Sequence, residues 1–154
     1  MPATMIKEFL DNHGVKYVSI RHSPAYTAAE VAASSHVAGR DFAKSIVVRT
    51  DAGFALVVLP ASRRLVLADL RELLQAPALR LATEAEFRDL FPDCEVGAMP
   101  PFGNLYHLPV YVAASLAEEP ELAFNAGTHT EVIKMDYEDF DELVRPTVLD
   151  FITT

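Results

Sequence analysis

Residues 41–50 read Asp41-Phe42-Ala43-Lys44-Ser45-Ile46-Val47-Val48-Arg49-Thr50, an apolar and β-branched stretch that begins with one lysine. Three consecutive β-branched residues, Ile46 to Val48, predict a strand that is covered on both faces. Asp51-Ala52-Gly53 supplies turn residues before a second apolar stretch, Phe54 to Leu59. The two stretches therefore predict a central hairpin with Lys44 at its mouth.

Lys44 is the residue of this stretch that can carry chemistry. A lysine can lay its methylene stem along apolar surface and hold its ammonium over a cleft, where partial desolvation makes it useful as a donor or a charge clamp. The alternative is a lysine at the end of a strand whose side chain simply reaches water.

Length and composition predict one globular domain over residues 1–154. The 154 residues are 51% apolar and 23% charged, and the chain is long enough to bury a core without disulfides. No stretch reaches ~18 consecutive apolar residues, and residues 1–16 form an amphipathic pattern rather than a signal peptide. We therefore expect no membrane partner and a cytoplasmic location. The single cysteine, Cys94, agrees with a reducing compartment.

Charge is distributed unevenly along the chain. The net charge is −9, which argues against broad affinity for DNA or another duplex. Residues 1–88 carry 11 Lys and Arg against 9 Asp and Glu, whereas residues 89–154 carry 2 against 13. An anionic ligand should therefore meet the N-terminal half, where Arg40, Lys44, Arg49, Arg63 and Arg64 lie.

Helix and strand patterns alternate on both sides of the predicted hairpin. Before it, the sequence predicts a helix that ends at Gly14, a strand over Tyr17 to Arg21, and a helix that begins at the capping pattern Thr27-Ala28-Ala29-Glu30 and runs to about His36. After it, we expect a short strand over Leu65 to Leu67, a helix capped by Asp69 and closed by Pro77, a strand over Leu79 to Leu81, and a helix that begins at Thr83 and ends near Phe91.

The last third begins with a constrained loop from Cys94 to Leu108. Strands are then predicted over Val110 to Val112 and Leu122 to Ala126, joined by Glu118-Glu119-Pro120, and over Glu131 to Met135. Asp136 is expected to cap a final helix that Pro146 stops, leaving a short tail.

Familiar nucleophile and metal motifs are missing. The sequence has no G-x-S-x-G, Ser-x-x-Lys or H-E-x-x-H pattern. Cys94 is either a thiol nucleophile paired with His107 or His129, or a small apolar filler, and the second interpretation is the more usual one. The five histidines show no ligand spacing, so we predict no metal site.

Two glycine-containing segments remain as candidate binding loops. In Gly97-Ala98-Met99-Pro100-Pro101, glycine allows backbone amides to approach a ligand and the prolines restrict the neighbouring dihedrals; the alternative is a rigid structural turn. Gly127-Thr128-His129 lies between two apolar stretches, where a glycine permits a bulge or a close ligand contact. His129 on its own is more typical of a hydrogen-bonded structural histidine.

Taken in order, these features resemble the YbaK and prolyl-tRNA synthetase-associated editing domains. The resemblance is carried by a lysine at the start of a strand, the G-x-x-x-P loop followed by Phe102-Gly103, and the late Gly127-x-His129. It extends to His22-Ser23-Pro24-Ala25-Tyr26-Thr27 and to Leu59-Pro60-Ala61, and so covers nearly the whole chain.

The resemblance implies a mixed α/β fold with a barrel-like sheet flanked by helices, and hydrolysis of mischarged aminoacyl-tRNA. By that resemblance Lys44, Gly97 and His129 are the catalytic residues, and no cofactor is needed. The implied substrate-binding residues are Ala98, Met99, Pro100, Pro101, Phe102, Gly127 and Thr128. Its implied partner is the acceptor end of aminoacyl-tRNA, with an aminoacyl-tRNA synthetase as a further candidate. Family members that clear alanyl-tRNA(Pro) carry asparagine after the lysine, whereas Ser45 stands here.

Two other classes of function are compatible with the same residues. The first is a non-catalytic module that binds the aminoacyl-tRNA acceptor end or a nucleotide. The second is a structural or interaction protein, which predicts no chemistry at Lys44.

Overall fold

A computed structural model describes residues 2–23, 25, 27–35 and 37–153. Its strands are β1 (Tyr17–Arg21), β2 (Phe42–Thr50), β3 (Gly53–Pro60), β4 (Arg80–Leu81), β5 (Val110–Ala113), β6 (Glu121–Asn125), β7 (Glu131–Asp136) and β8 (Thr147–Leu149). Its α-helices are α1 (Pro2–Asn12), α2 (Ala28–Ser34), α3 (Leu67–Leu74), α4 (Glu84–Phe87), α5 (Ala114–Ala117) and α6 (Tyr137–Val144). Short 3-10 turns lie at Arg88–Leu90 and Gly103–Tyr106.

The strands form one mixed sheet in the order β1-β7-β6-β2-β3-β5-β8, and β4 pairs with β2. Antiparallel pairing joins β1 to β7, β7 to β6, and β2 to both β3 and β4. Parallel pairing joins β6 to β2, β3 to β5, and β5 to β8. The predicted class, a mixed α/β fold with helices flanking the sheet, is therefore confirmed.

The central hairpin is the longest ladder of the sheet. Strands β2 and β3 pair over eight residue pairs, from Ala43 opposite Pro60 to Thr50 opposite Gly53. Gly53 closes the turn at a φ of 129°, a conformation that residues with a side chain rarely adopt. The predicted hairpin is confirmed, but Lys44 is the third residue of β2 and lies opposite Leu59 rather than at the strand's start.

Apolar side chains cover both faces of the hairpin, as the consecutive β-branched residues predict. On one face, Ala43, Val47, Leu56 and Val58 join the largest cluster of buried side chains. On the other face, Phe42 belongs to a cluster under α2, while Val48 belongs to a second cluster under α3. Lys44 follows Phe42 by two residues, so strand alternation places it on this second face.

Several local predictions are confirmed to the residue. Strand β1 has the predicted bounds, and α1 is followed by Gly14 at a φ of 65°. Thr83 and Glu86 form a complete capping box, each side chain accepting a hydrogen bond from the other residue's backbone. Thr27 likewise caps α2, which ends at Ser34; the expected end at His36 lies outside the described residues, as do Pro24 and Tyr26.

Predictions around residues 65–69 were wrong. Helix α3 begins at Leu67 after Val66, and Asp69 lies inside its first turn, where a carboxylate favours the positive end of the helix dipole. Leu65 does not belong to a strand with its neighbours but bridges Ile152, and the amide of Val66 donates to the carbonyl of Phe151 at 2.8 Å. Local patterns miss this arrangement because the partner is about 85 residues away along the chain.

The last third also differs from the prediction in two places. The connection before β6 contains the short helix α5, and the expected tail contains β8, which pairs in parallel with β5. Asp136 precedes α6 as predicted, although its side chain makes no capping hydrogen bond. None of the described helices is long and apolar enough to cross a membrane.

One buried carboxylate ties α1 to the edge of the sheet. Glu131 in β7 has a side chain that is only 4% exposed; it pairs with Lys7 of α1 and with Arg21 of β1 at 3.5 Å, and accepts a hydrogen bond from Ser19 at 2.9 Å. Burial alone would raise the pKa of Glu131, but the hydrogen bonds from Lys7 and Ser19 and the charges of Lys7 and Arg21 outweigh it and lower that pKa. The charged form therefore favours the folded state.

We expect Glu131→Gln to lower the free energy of unfolding at neutral pH by about 2 kcal/mol, because a charged hydrogen-bonded group is lost from a buried site. A carboxyl whose folded pKa is lowered stabilises above its ordinary value of 4.5 and loses that effect as pH falls through the folded value. The gap between wild type and variant in urea unfolding should thus narrow below about pH 4.5. Glu121→Gln, which removes the exposed 3.5 Å pair with Lys134, is the control and should cost under about 1 kcal/mol.

Candidate functional site

Lys44 lies on the sheet face where two apolar clusters meet. Along β2 this face presents Phe42 from the cluster under α2, then Lys44, then Ile46 and Val48 from the cluster under α3. The lysine is half-buried, as expected for a methylene stem that lies along apolar surface with a charged head that reaches toward water.

The positive charge of Lys44 is not neutralised locally. In the part of the chain that the structure describes, no carboxylate forms an ion pair with Lys44 or with Arg64. Burial lowers the pKa of Lys44, and the nearby charge of Arg64 lowers it further. Two neighbouring cations without a counter-ion repel each other, so an anionic ligand between them would be favoured.

Arg64 is held in place through its backbone. Its amide donates to Thr153 Oγ1 at 3.2 Å, and its carbonyl accepts from the amide of Thr153 at 3.0 Å. The turn before it is closed by the amide of Arg63, which donates to the carbonyl of Pro60 at 3.1 Å. The segment that follows the hairpin therefore places the Arg64 guanidinium near enough to Lys44 to affect its pKa.

Ser45 lies on the opposite side of β2 from Lys44. Strand alternation directs it to the face that Ala43 and Val47 bury in the main core. Its Oγ is buried and has no hydrogen-bond partner among the described residues. Ser45 therefore lies on the opposite face of β2 from the Lys44 side chain.

Hydrogen bonds join the two predicted binding loops, the one that contains Gly97 and the one that contains Gly127. The amide of Glu95 donates to the carbonyl of Gly127 at 2.8 Å, and the amide of Gly127 donates to the carbonyl of Ala98 at 3.0 Å. The amide of His129 donates to Glu95 Oε1 at 2.7 Å, and His129 Nε2 lies 2.8 Å from the carbonyl of Val96. Since a carbonyl only accepts, His129 Nε2 carries the proton of this contact.

His129 therefore holds the loop that contains Gly97. The imidazole is buried, and a Cβ on Gly97 would stand 3.6 Å from His129 Cε1, an ordinary contact distance. Thr128 Oγ1 contacts Thr130 Oγ1 at 3.3 Å and accepts a hydrogen bond from the amide of Thr130. The Thr128 hydroxyl therefore stabilises the β6–β7 loop. Both residues position the loops in this structure.

Not every amide of the Gly97 loop is available to a ligand. The amide of Ala98 donates to the carbonyl of Glu95 at 3.0 Å, whereas the amides of Gly97 and Met99 have no acceptor among the described residues. Gly97 has a φ of 84°, which explains why glycine stands there. Two backbone donors at this turn can therefore meet a carbonyl or oxyanion.

Most side chains of the predicted substrate loop point into the protein. Ala98, Met99, Pro100 and Pro101 are buried, and Phe102 is fully buried against Phe9, Phe124 and Phe140 with ring centroids 5.4 to 5.9 Å apart. These residues anchor the loop from beneath. Any substrate contact by this segment falls to its backbone rather than to the Phe102 ring.

Cys94 has the surroundings of a filler rather than of a nucleophile. Its Sγ contacts the Tyr106 hydroxyl at 3.3 Å, and burial raises the pKa of the Cys94 thiol. A raised pKa disfavours the reactive thiolate. Over the described ranges, no group of three or more His, Cys, Asp or Glu side chains is arranged to hold a metal ion.

Sequence reasoning missed three residues of this region: Arg64, Glu95 and Asn125. Arg64 was counted only as part of the basic half, and Glu95 gave no signal because its partners are 32 and 34 residues away. Asn125 does give a signal, because it is the one polar residue in the otherwise apolar stretch Leu122 to Ala126.

Two features form the candidate site: a half-buried cation without a carboxylate partner, and a glycine turn whose two amides have no acceptor, both judged over the described residues. The sequence model of one protein family, the aminoacyl-tRNA editing domain, matches residues 22–143. The chain therefore belongs to that family. No protein with a curated function matches the sequence.

Solved structures agree in fold over nearly the whole chain. A protein described as "a putative trans-editing enzyme for prolyl tRNA synthetase" is 27% identical, with 99% of this chain and 98% of that chain covered and a TM-score of 0.84. A hypothetical protein is 25% identical, with 96% and 99% covered and a TM-score of 0.85. A protein from Marinobacter aquaeolei VT8 described as "a Putative signal transduction protein" is 17% identical and shares only the fold: 98% of this chain covers 31% of that one, with a TM-score of 0.77.

The φ of 84° at Gly97 changes the outcome expected of a substitution there. We expect Gly97→Ala to lower the free energy of unfolding by about 1 kcal/mol through backbone strain alone, since the added Cβ meets no clash. Gly14→Ala, with a φ of 65° and open space, should cost a similar amount. Only Gly97→Ala should also shift the NMR signals of the His129 ring. Equal spectra for the two variants would show that Gly97 and His129 are not coupled.

Proposed function

We propose that this protein hydrolyses the ester of tRNA mischarged with a small amino acid, acting in trans and without a metal. The observation that carries the proposal is the half-buried Lys44 ammonium, which has no carboxylate partner among the described residues and lies near Arg64. Membership of the editing-domain family supplies the substrate class, an aminoacyl-tRNA. The acceptor end of that tRNA is anionic and carries an ester, and both features suit the site.

Each part of the site has a role in this proposal. Lys44 and Arg64 hold the phosphate or ester region of the terminal adenosine, and the amides of Gly97 and Met99 hold the aminoacyl carbonyl as it becomes an oxyanion. Water adds to that carbonyl, the bond to the ribose oxygen breaks, and the ribose oxygen takes up a proton. An aminoacyl ester is already activated, so no protein nucleophile is needed. Accurate positioning can lower the activation barrier by up to ~7–11 kcal/mol, and each oxyanion donor can lower it by ~3–4 kcal/mol.

Charge directs tRNA to one side of the molecule. Near α6 an open cavity of ≈ 530 Å³ is lined by Glu119, Asp136, Glu138 and Asp141, which repel phosphate. The Lys44 face therefore receives the acceptor end, and few cations are available for further phosphate contacts. Binding should be weak and salt-sensitive, which leaves room for a synthetase to deliver the substrate in the cytoplasm.

Lys44→Ala tests the central role. We expect the deacylation rate to fall about 100-fold or more, because the charge that holds the ester is lost, while thermal unfolding stays unchanged, because the removed cation is partly desolvated and has no ion-pair partner. Lys16→Ala removes the same charge from an exposed position and should deacylate at the wild-type rate. Full activity of Lys44→Ala would remove the lysine from the mechanism.

The substrate class is tested with a panel of charged tRNAs, each assayed with and without EDTA. A pocket bounded by backbone and proline rejects large side chains by clash but separates those that differ by one methylene only ~10–200-fold. We expect hydrolysis of some of the alanyl, seryl, cysteinyl and threonyl esters, little of phenylalanyl or tyrosyl esters, and no effect of EDTA. Binding of charged tRNA without turnover of any ester would favour the non-catalytic module instead.

A further inference from the structure

Asn125 is a buried polar side chain that has no hydrogen-bond partner at Oδ1 within the described part of the chain. It is the last residue of β6 and only 9% exposed. Buried polar groups are nearly always paired, and an exception at one position calls for a reason.

Strand pairing places Asn125 beside Lys44. Strands β2 and β6 run parallel, with Phe42 opposite Ala123 and Ala43 opposite Phe124. The ladder ends at these two pairs, and Lys44 and Asn125 are the next residue of each strand, so they follow directly after strands that lie about 4.8 Å apart. Phe42 and Ala123 both belong to the cluster under α2, so strand alternation puts Lys44 and Asn125 on the same face.

The charge beside Asn125 limits the kind of group that it can bind. Lys44 and Arg64 are both cationic, so a positively charged donor such as the α-ammonium of an aminoacyl group is disfavoured there. A neutral hydroxyl is not, and it can both donate to and accept from an amide. An aminoacyl-tRNA carries such a hydroxyl on the terminal ribose, next to the ester.

We propose that the Asn125 side-chain amide hydrogen-bonds the free vicinal hydroxyl of the substrate's terminal ribose and so positions the ester over Lys44. This inference rests on the proposed function, because it takes the acceptor end as the ligand. Asn125 is a positioning residue: it fixes the sugar, while Lys44 and the Gly97 turn meet the reacting groups. Its partner atom is supplied by the substrate, which explains why the described residues provide none.

A binding cycle tests the contact without relying on turnover. The probes are two non-hydrolysable 3′-alanylamido-adenosine compounds, one with and one without the 2′-hydroxyl, titrated into wild type, Asn125→Ala and Asn125→Ser. We expect loss of either the side chain or the hydroxyl to weaken binding about tenfold, and loss of both to weaken it no further. Additive losses would overturn the contact. A third probe carries an N-acetylated alanyl group. The ratio of its Kd for Asn125→Ala to its Kd for wild type should equal the ratio for the parent compound. A different ratio would show that the α-amino group, not the hydroxyl, is the partner.

Stability and turnover separate this inference from the proposed function. Because Asn125 Oδ1 has no partner to lose, Asn125→Ala should unfold at the wild-type temperature or above it, as should the control Ser115→Ala, which removes another buried oxygen without a hydrogen bond. Ser115→Ala should keep wild-type probe binding. If wild type deacylates tRNA but the cycle is additive, only the role of Asn125 fails. If wild type neither deacylates tRNA nor binds the probes, the proposed function fails with it.

Discussion

The parallel contact between β2 and β6 is the constraint on which the rest of the structure depends. The sheet is otherwise two smaller sheets, β1-β7-β6 and β2-β3-β5-β8, and this contact joins them through two residue pairs and the hydrogen bond from the Ala123 amide to the Asp41 carbonyl at 2.9 Å. Parallel strands need a long connection, which here is the whole segment from Thr50 to Pro120. The paired residues end at Ala43 and Phe124, β6 itself ends at Asn125, and β2 continues to Thr50.

The position of the site follows from that divergence. The proposed ligand groove lies where these two strands cease to pair, at the next residue of each strand. The β6–β7 loop then brings Gly127 and His129 toward the groove, and four hydrogen bonds bring the Gly97 turn with them. Apolar clusters on both sides hold Lys44 in a half-buried position. The electrostatic attraction between its ammonium and an anionic group is therefore stronger than it would be in open water.

The sequence was sufficient for features that are set by nearby residues. The hairpin follows from Ile46 to Val48 and a glycine turn, the Thr83 capping box from a spacing of three residues, and the family from the order of Lys44, the Gly97 loop and His129. It was insufficient where a partner lies far along the chain. Leu65 was placed in a strand because Ile152 could not be foreseen, and the bracing of Arg64 by Thr153 was invisible for the same reason.

The division of one sheet face into two apolar clusters has a consequence for protein engineering. Lys44 and Asn125 occupy the gap between well-packed regions, and neither makes an ion pair or side-chain hydrogen bond with the described residues. Apolar replacements at these two positions would join the clusters and bury more surface. A variant library sorted by heat resistance alone would therefore enrich such replacements and lose the two polar groups that the proposed ligand needs.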